Sequence, residues 1–164
     1  MMEDMNPTTT PRRSSARQRI TLSAAQRRER CDLARWALEH GRPLTLDGAT
    51  VILAVRQFEC EQNATPRNRW TSSDITSFIW GSAVGWCSAN ETTVPVDLAE
   101  SLWTYLAFLE DTGQLSSGSS RSHHLLAAVE ETAGLDHTGR RLPPKVAPAP
   151  GVVRGLRRTG TEHS

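Results

Sequence analysis

The chain is expected to be all-α: a compact bundle of about five helices, preceded and followed by disordered tails. Three observations carry this expectation. Apolar residues recur at helical spacing in five separate stretches, and each stretch is bracketed by residues that start or stop helices. Only one segment, residues 50 to 55, has the β-branched character of a strand, and no second strand is available to pair with it. An unpaired strand leaves its ladder N–H and C=O groups unsatisfied, so this segment is assigned to a helix as well.

The first helix is expected over residues 24 to 40. Ser23 and Gln26 have capping-box spacing, in which the serine oxygen and the glutamine side chain satisfy orphan backbone donors, while Gly41 and Pro43 end the helix. Its expected buried stripe is Cys31, Ala34 and Leu38, widened by Leu33 and Trp36. The second helix, residues 47 to 62, sets Val51, Val55, Phe58 and Gln62 at helical spacing. The third starts at a Ser72-Ser73-Asp74 cap and reaches Ser88, with Ile75, Ile79, Ser82 and Trp86 on one face. Phe78, Trp80, Val84 and Cys87 are spread round the rest of it. Apolar nearly all round, this helix is expected at the centre, with Gly81 and Gly85 admitting a neighbouring backbone at about 1 kcal/mol each in helix propensity.

The fourth helix opens at Pro95, a residue suited to a first turn, places Asp97 and Glu100 near the positive end of the dipole and stops at Gly113. Its face is Leu98, Leu102, Tyr105, Leu106 and Leu109, flanked by Trp103 and Phe108. The fifth follows a serine-rich linker, turns Leu125, Leu126 and Val129 inward and ends at Gly134. The domain is thus expected over residues 21 to 135. Residues 1 to 20 and the Pro- and Gly-rich residues 136 to 164 have too little to bury to offset their ordering entropy.

Division after residue 30 and after residue 135 polarises a chain whose net charge is only +1. Residues 1 to 30 hold seven Arg and three acids, residues 31 to 135 six Arg and thirteen acids, and residues 136 to 164 six Lys plus Arg and two acids. An acidic body therefore carries two basic arms. Flexible arginine arms attract a phosphate backbone that the body repels; the alternative is that they lie on the acidic body or stay solvated. Lys145 is the only lysine, an excess of arginine that suits bidentate phosphate or carboxylate binding and that a GC-rich coding bias also produces.

Several function classes are set aside. The longest apolar run, residues 49 to 55, falls well short of a membrane span, and Arg12-Arg13 is followed by polar residues where an export signal needs an apolar segment. Cys31, Cys60 and Cys87 are odd in number and widely spaced, as buried reduced thiols of a cytoplasmic protein are. Without export, the sequons at Asn63 and Asn90 have no route to glycosylation. Residues 113 to 120 have the spacing of a phosphate-binding loop, but serine stands at the lysine position and a helix precedes them, so they read as a linker. His123 and His124 are neighbours on a helix and point about 100° apart, which prevents them from sharing a metal, and no Cys or His spacing suggests zinc. No nucleophile, base and orienting group converge in the sequence, so the chain reads as a non-enzyme without a cofactor. A helix-turn-helix formed by the first two helices would present Val51, Ile52 and Leu53 to a DNA groove, where a core helix does not belong.

Trp70-Thr71-Ser72-Ser73-Asp74-Ile75-Thr76-Ser77-Phe78-Ile79, followed by residues 102 to 109 and by Asp111-Thr112-Gly113, resembles the helical core-binding domain of tyrosine recombinases. In that family a capped D-I-x-x-F/Y helix precedes a helix closed by an FL-x-x-x-G turn. The resemblance implies a helical domain that clamps DNA. The family's catalytic domain carries a nucleophilic tyrosine with an Arg and His-x-x-Arg constellation. Here Tyr105 is the only tyrosine and sits in a core stripe, so no catalytic residue is carried over.

The resulting expectation is a cytoplasmic, non-enzymatic helical protein-protein interaction module with basic flexible arms. It would bind an unidentified protein partner through an apolar surface with an exposed tryptophan. Trp103 stands beside the main stripe of the fourth helix and Trp70 precedes the third in a polar loop, which makes them the two candidates. Core packing is the alternative for both, Trp70 as a hydrophobic staple. The alternative function is that of an accessory nucleic-acid-binding protein in a DNA transaction, with Arg12, Arg13, Arg17, Arg19, Arg154, Arg157 and Arg158 neutralising phosphates.

Overall fold

Residues 20 to 144 are described by the computed structural model, and among them the regular structure is five helices. They are α1 (Ala24–Glu39), α2 (Leu46–Asn63), α3, α4 (Leu98–Asp111) and α5 (Ser122–Ala133). α3 is one rod built from the α-helical turns Ser72–Ser77, a π-helical turn Phe78–Ser82 and the α-helical turns Ala83–Ala89. Most ends are made as the sequence predicts; an exception is the start of α4, where Leu98 follows the N-cap Asp97 and Pro95 stays outside the helix. Gln26 N–H donates to Ser23 Oγ at 3.1 Å and Ser23 N–H to Gln26 Oε1 at 2.9 Å, while Gly41, Gly113 and Gly134 take left-handed backbone angles after α1, α4 and α5. The cap of α3 lies one residue earlier than expected: Thr71 pairs with Asp74 in a capping box. The segment from residue 50 to 55 is helical, within α2.

α4, not α3, is the central helix. Eleven of its fourteen residues are buried, and it packs against α1, α2 and α5. Leu102, Tyr105, Leu106 and Leu109 meet Leu33 of α1, Ile52 and Leu53 of α2 and Leu125 and Val129 of α5 in one core. Around this centre the outer helices use narrower stripes than their composition suggests. α1 turns Gln26, Leu33 and Ala37 inward, so that Cys31 is exposed, Ala34 only half-buried and Leu38 83% exposed. In α2 the core takes Val51, Ile52, Leu53 and Val55, and Phe58 and Gln62 lie outside it.

Trp70 and Trp103 are both buried, which corrects the expectation that they are exposed. Trp70 lies edge-on to Phe78 and Tyr105, with the Arg56 guanidinium 4.0 Å from its ring centroid. Arg56 is itself buried; it donates to the carbonyls of Arg67 at 3.1 Å and of Arg69, and pairs with Glu59 at 2.9 Å. One arginine thereby satisfies the loop between α2 and α3 and closes it over the tryptophan.

Trp103 is covered by residues that the sequence assigned to a disordered tail. The chain from Leu135 to Arg141 forms a tight turn closed by a single antiparallel bridge between those two residues. Asp136 Oδ1 accepts from Thr138 N–H at 2.8 Å, Thr138 Oγ1 at 2.6 Å and Arg140 N–H at 3.1 Å, bonds that hold its carboxyl below the usual range. Gly139 lies on the Trp103 ring so closely that a Cβ there would stand 2.5 Å from two ring carbons. Arg141 pairs with Glu100 at 2.7 Å, and Trp103 Nε1 donates to Glu130 at 3.0 Å. The folded unit therefore extends past residue 135, to at least Arg141.

Candidate functional site

α3 carries the surface that neither core nor charge explains. Of its buried residues, Ile75, Ile79, Ala83 and Cys87 follow one another at every fourth position, with Phe78 buried beside Ile79. An α-helix has 3.6 residues per turn, so such a row drifts round the axis and leaves the core after about two turns. The π-helical turn at its middle, where Ala83 N–H donates to Phe78 C=O, takes up that drift. Both sides of the rod are straightened together. Outward, Thr76, Trp80, Val84 and Ser88 form one exposed row, and Ser77, Gly81, Gly85 and Ala89 a second beside it.

Trp80 is 66% exposed and Val84 43% exposed. Among the described residues, nothing outside the adjoining turns of the helix lies within 4 Å of a Cβ built on Gly81 or Gly85, so, contrary to expectation, no neighbouring backbone packs there. Asp74, on the first turn of the rod, and Glu91, just beyond it, enclose a stretch from 75 to 90 in which no residue is charged. An exposed tryptophan with an aliphatic neighbour and no charge is the composition of an interface centre, from which charged residues are depleted and in which aromatics are enriched.

The clefts among the described residues have a different character. One of about 410 Å3 between α2 and α3 is lined by Ile20, Gln26, Gln57, Phe58, Glu61 and Trp86 among others, and one of about 480 Å3 beside it by Asp47, Thr50, Val51 and the segment from Glu91 to Val96. Neither brings a histidine to a hydroxyl or thiol. A third, of about 260 Å3, contains Arg56, Glu59, Cys60 and Asp74. Burial pushes the Cys60 thiol up, against the pull of Arg56, which keeps it protonated and weakly nucleophilic; burial alone does the same for Cys87. Among the described residues no three His, Cys, Asp or Glu side chains gather at metal-binding separations.

The other motifs are placed as follows. His123 and His124 lie on the exposed first turn of α5 with ring centroids 4.1 Å apart. The linker from residue 113 to 120 is stitched to the loop before α3, with Ser116 N–H on Asn68 O at 2.9 Å and Ser120 N–H on Trp70 O at 2.8 Å, so these donors point into the protein and not at a ligand. Val51, Ile52 and Leu53 are buried, and α2 offers no groove-reading face there. Arg12, Arg13, Arg17, Arg19, Arg154, Arg157 and Arg158 lie outside the described residues. No helix among the described residues is long and apolar enough to cross a membrane.

Trp80 was available to sequence reasoning: it is the one tryptophan at four-residue spacing from valine and next to glycine in a charge-free run. A helix apolar all round reads as buried, and that reading hid it. Compared with protein-family models, with curated proteins and with solved structures, the chain finds no match.

Proposed function

We propose that the chain is a non-enzymatic interaction module that binds a protein through the outer face of α3, with Trp80 as its anchor in place of Trp70 and Trp103. The observation that carries the reading is the solvent-facing, charge-free row of Trp80 and Val84 beside Gly81 and Gly85. A tryptophan left in water on a rigid helix retains most of its apolar area for a partner and loses little conformational freedom on binding. The three unpaired cysteines support a reducing compartment, the cytoplasm.

The test is a photo-reactive amino acid in place of Ser88, at the edge of the face, with a control in place of the exposed Arg28 on α1. In lysate the first is expected to capture a discrete protein, the control not, and adding Trp80→Asp to the first is expected to abolish the capture. Equal labelling from both positions, or capture indifferent to Trp80, overturns the reading.

The charge distribution favours a second reading, in which the arms contact nucleic acid without sequence preference. The described residues hold fifteen acids and eleven Arg, so their net charge is negative while the whole chain is at +1. Binding through the arms is expected to weaken with salt at a slope of about −0.9 per phosphate contacted, and a flat response removes it.

A further inference from the structure

We infer that the occupant of the α3 face is a second copy of this chain; this rests on the interaction reading and names its partner. Three features of the face fit a two-fold contact better than a foreign one. First, a two-fold axis brings the same patch of each copy together, so a net charge on the patch is repeated across the contact and repels its own copy. The described part of the chain is acidic overall, and the only long helix face free of charge is this one, sixteen residues from 75 to 90 without Asp, Glu, Lys or Arg.

Second, the face contains both halves of a fit. Trp80 and Val84 stand out as a ridge, and immediately beside them Gly81 and Gly85 leave a furrow in which no described residue sits. A surface that places a ridge next to a furrow of the same length is complementary to its own rotated image, the ridge of each copy lying in the furrow of the other. Third, the π-helical turn keeps ridge and furrow parallel to the rod through the middle of α3, so that two such rods can stay in contact past a single crossing point.

The face is small. One tryptophan, one valine and their small neighbours cover roughly half of the about 800 Å2 per partner found in standard interfaces. A contact of that size belongs with weak, reversible associations, so monomer and dimer are expected to exchange at micromolar concentrations.

Sedimentation velocity on the full chain, from about 1 to about 300 µM, tests this. A monomer-dimer equilibrium is expected in which Trp80→Asp weakens association by about tenfold or more. Gly81→Leu fills the furrow while improving helix propensity, so it is expected to weaken association equally without loss of thermal stability. A wild-type chain that stays monomeric throughout, or a dimer that both variants leave intact, overturns the inference. Failure here is separable from failure of the interaction reading: a monomeric chain whose Ser88 photo-probe still captures one foreign protein in a Trp80-dependent way retains the reading and loses only the second copy.

Discussion

Tyr105 shows how far a single side chain is determined by what surrounds it. It is the only tyrosine, fully buried, and its hydroxyl donates to Glu29 Oε1 at 3.3 Å while Arg67 holds Oε2 at 2.8 Å. Burial first, and the Glu29 carboxylate second, push its ionisation far above the ordinary tyrosine range. The folded pKa is raised, so the resulting stability is complete below the unfolded value of about 10 and is lost as pH rises beyond it. Urea unfolding at about pH 8 and about pH 11 is expected to show that loss. In Tyr105→Phe the alkaline loss is expected to be smaller, and tyrosinate absorbance in the wild type to appear only with unfolding. Tyrosinate formed in the still-folded protein contradicts the burial argument. The periodicity of the fourth helix already placed Tyr105 in a core stripe. It could not place Trp70 or Trp103, because what covers them comes from elsewhere in the chain: Arg56 from α2 in one case and Gly139 from the terminal turn in the other.

Helices were legible from their punctuation, and their faces only in part. Capping residues and glycine stops act within a turn of the helix end, so α1 and α5 begin and end within about a residue of expectation and α4 stops where expected, although it starts at Leu98 and not at Pro95. Which side is buried depends on neighbours, and in α1 the true stripe is rotated from the expected one by about a third of a turn, toward Leu33 and Ala37. α3 departs most, because a π-helical turn changes the period on which every such reading rests. Glycine substitutions at two sites separate an open helix face from a packed one. Gly85 is in a helix and meets nothing, so Gly85→Ala is expected to raise stability by about 0.5–1 kcal/mol. A Cβ at Gly48 in α2 would stand 2.3 Å from Ser101 Oγ and 2.7 Å from its Cβ, so Gly48→Ala is expected to destabilise, by about 1–3 kcal/mol. Thermal unfolding of both at low protein concentration checks the pair: a loss of stability in Gly85→Ala refutes the assignment of the α3 face to solvent, and a gain in Gly48→Ala refutes the close packing of α2 on Ser101.

At the scale of the whole molecule, five helices and one core were legible, while the C-terminal limit of the domain was not. Residues 136 to 142 read as a tail because two Arg, a Gly and the following Pro-Pro offer no apolar stripe. They are held instead by polar contacts and by one glycine lying flat on an indole, features without periodicity. Arg141 to Glu100, Arg140 to Gly41 O at 3.1 Å and the buried Leu135 connect this turn to α4, to the end of α1 and to the core. A chain ending at residue 144 is therefore expected to unfold at the temperature of the full chain, while one ending at 134 uncovers Trp103 and removes Leu135. Losing one buried leucine and the cover of one tryptophan amounts to about 2–4 kcal/mol, which lowers the Tm of a domain this size by about 8–15 °C. In Gly139→Ala the clash with the Trp103 ring and the left-handed angle at that position act on the turn alone. Hydrogen exchange is then expected to speed up at residues 135 to 142 while α4 stays protected. If instead the chain ending at 134 melts with the full-length protein, the turn is an ornament on a domain that closes without it, and Trp103 becomes an exposed tryptophan in the shorter chain.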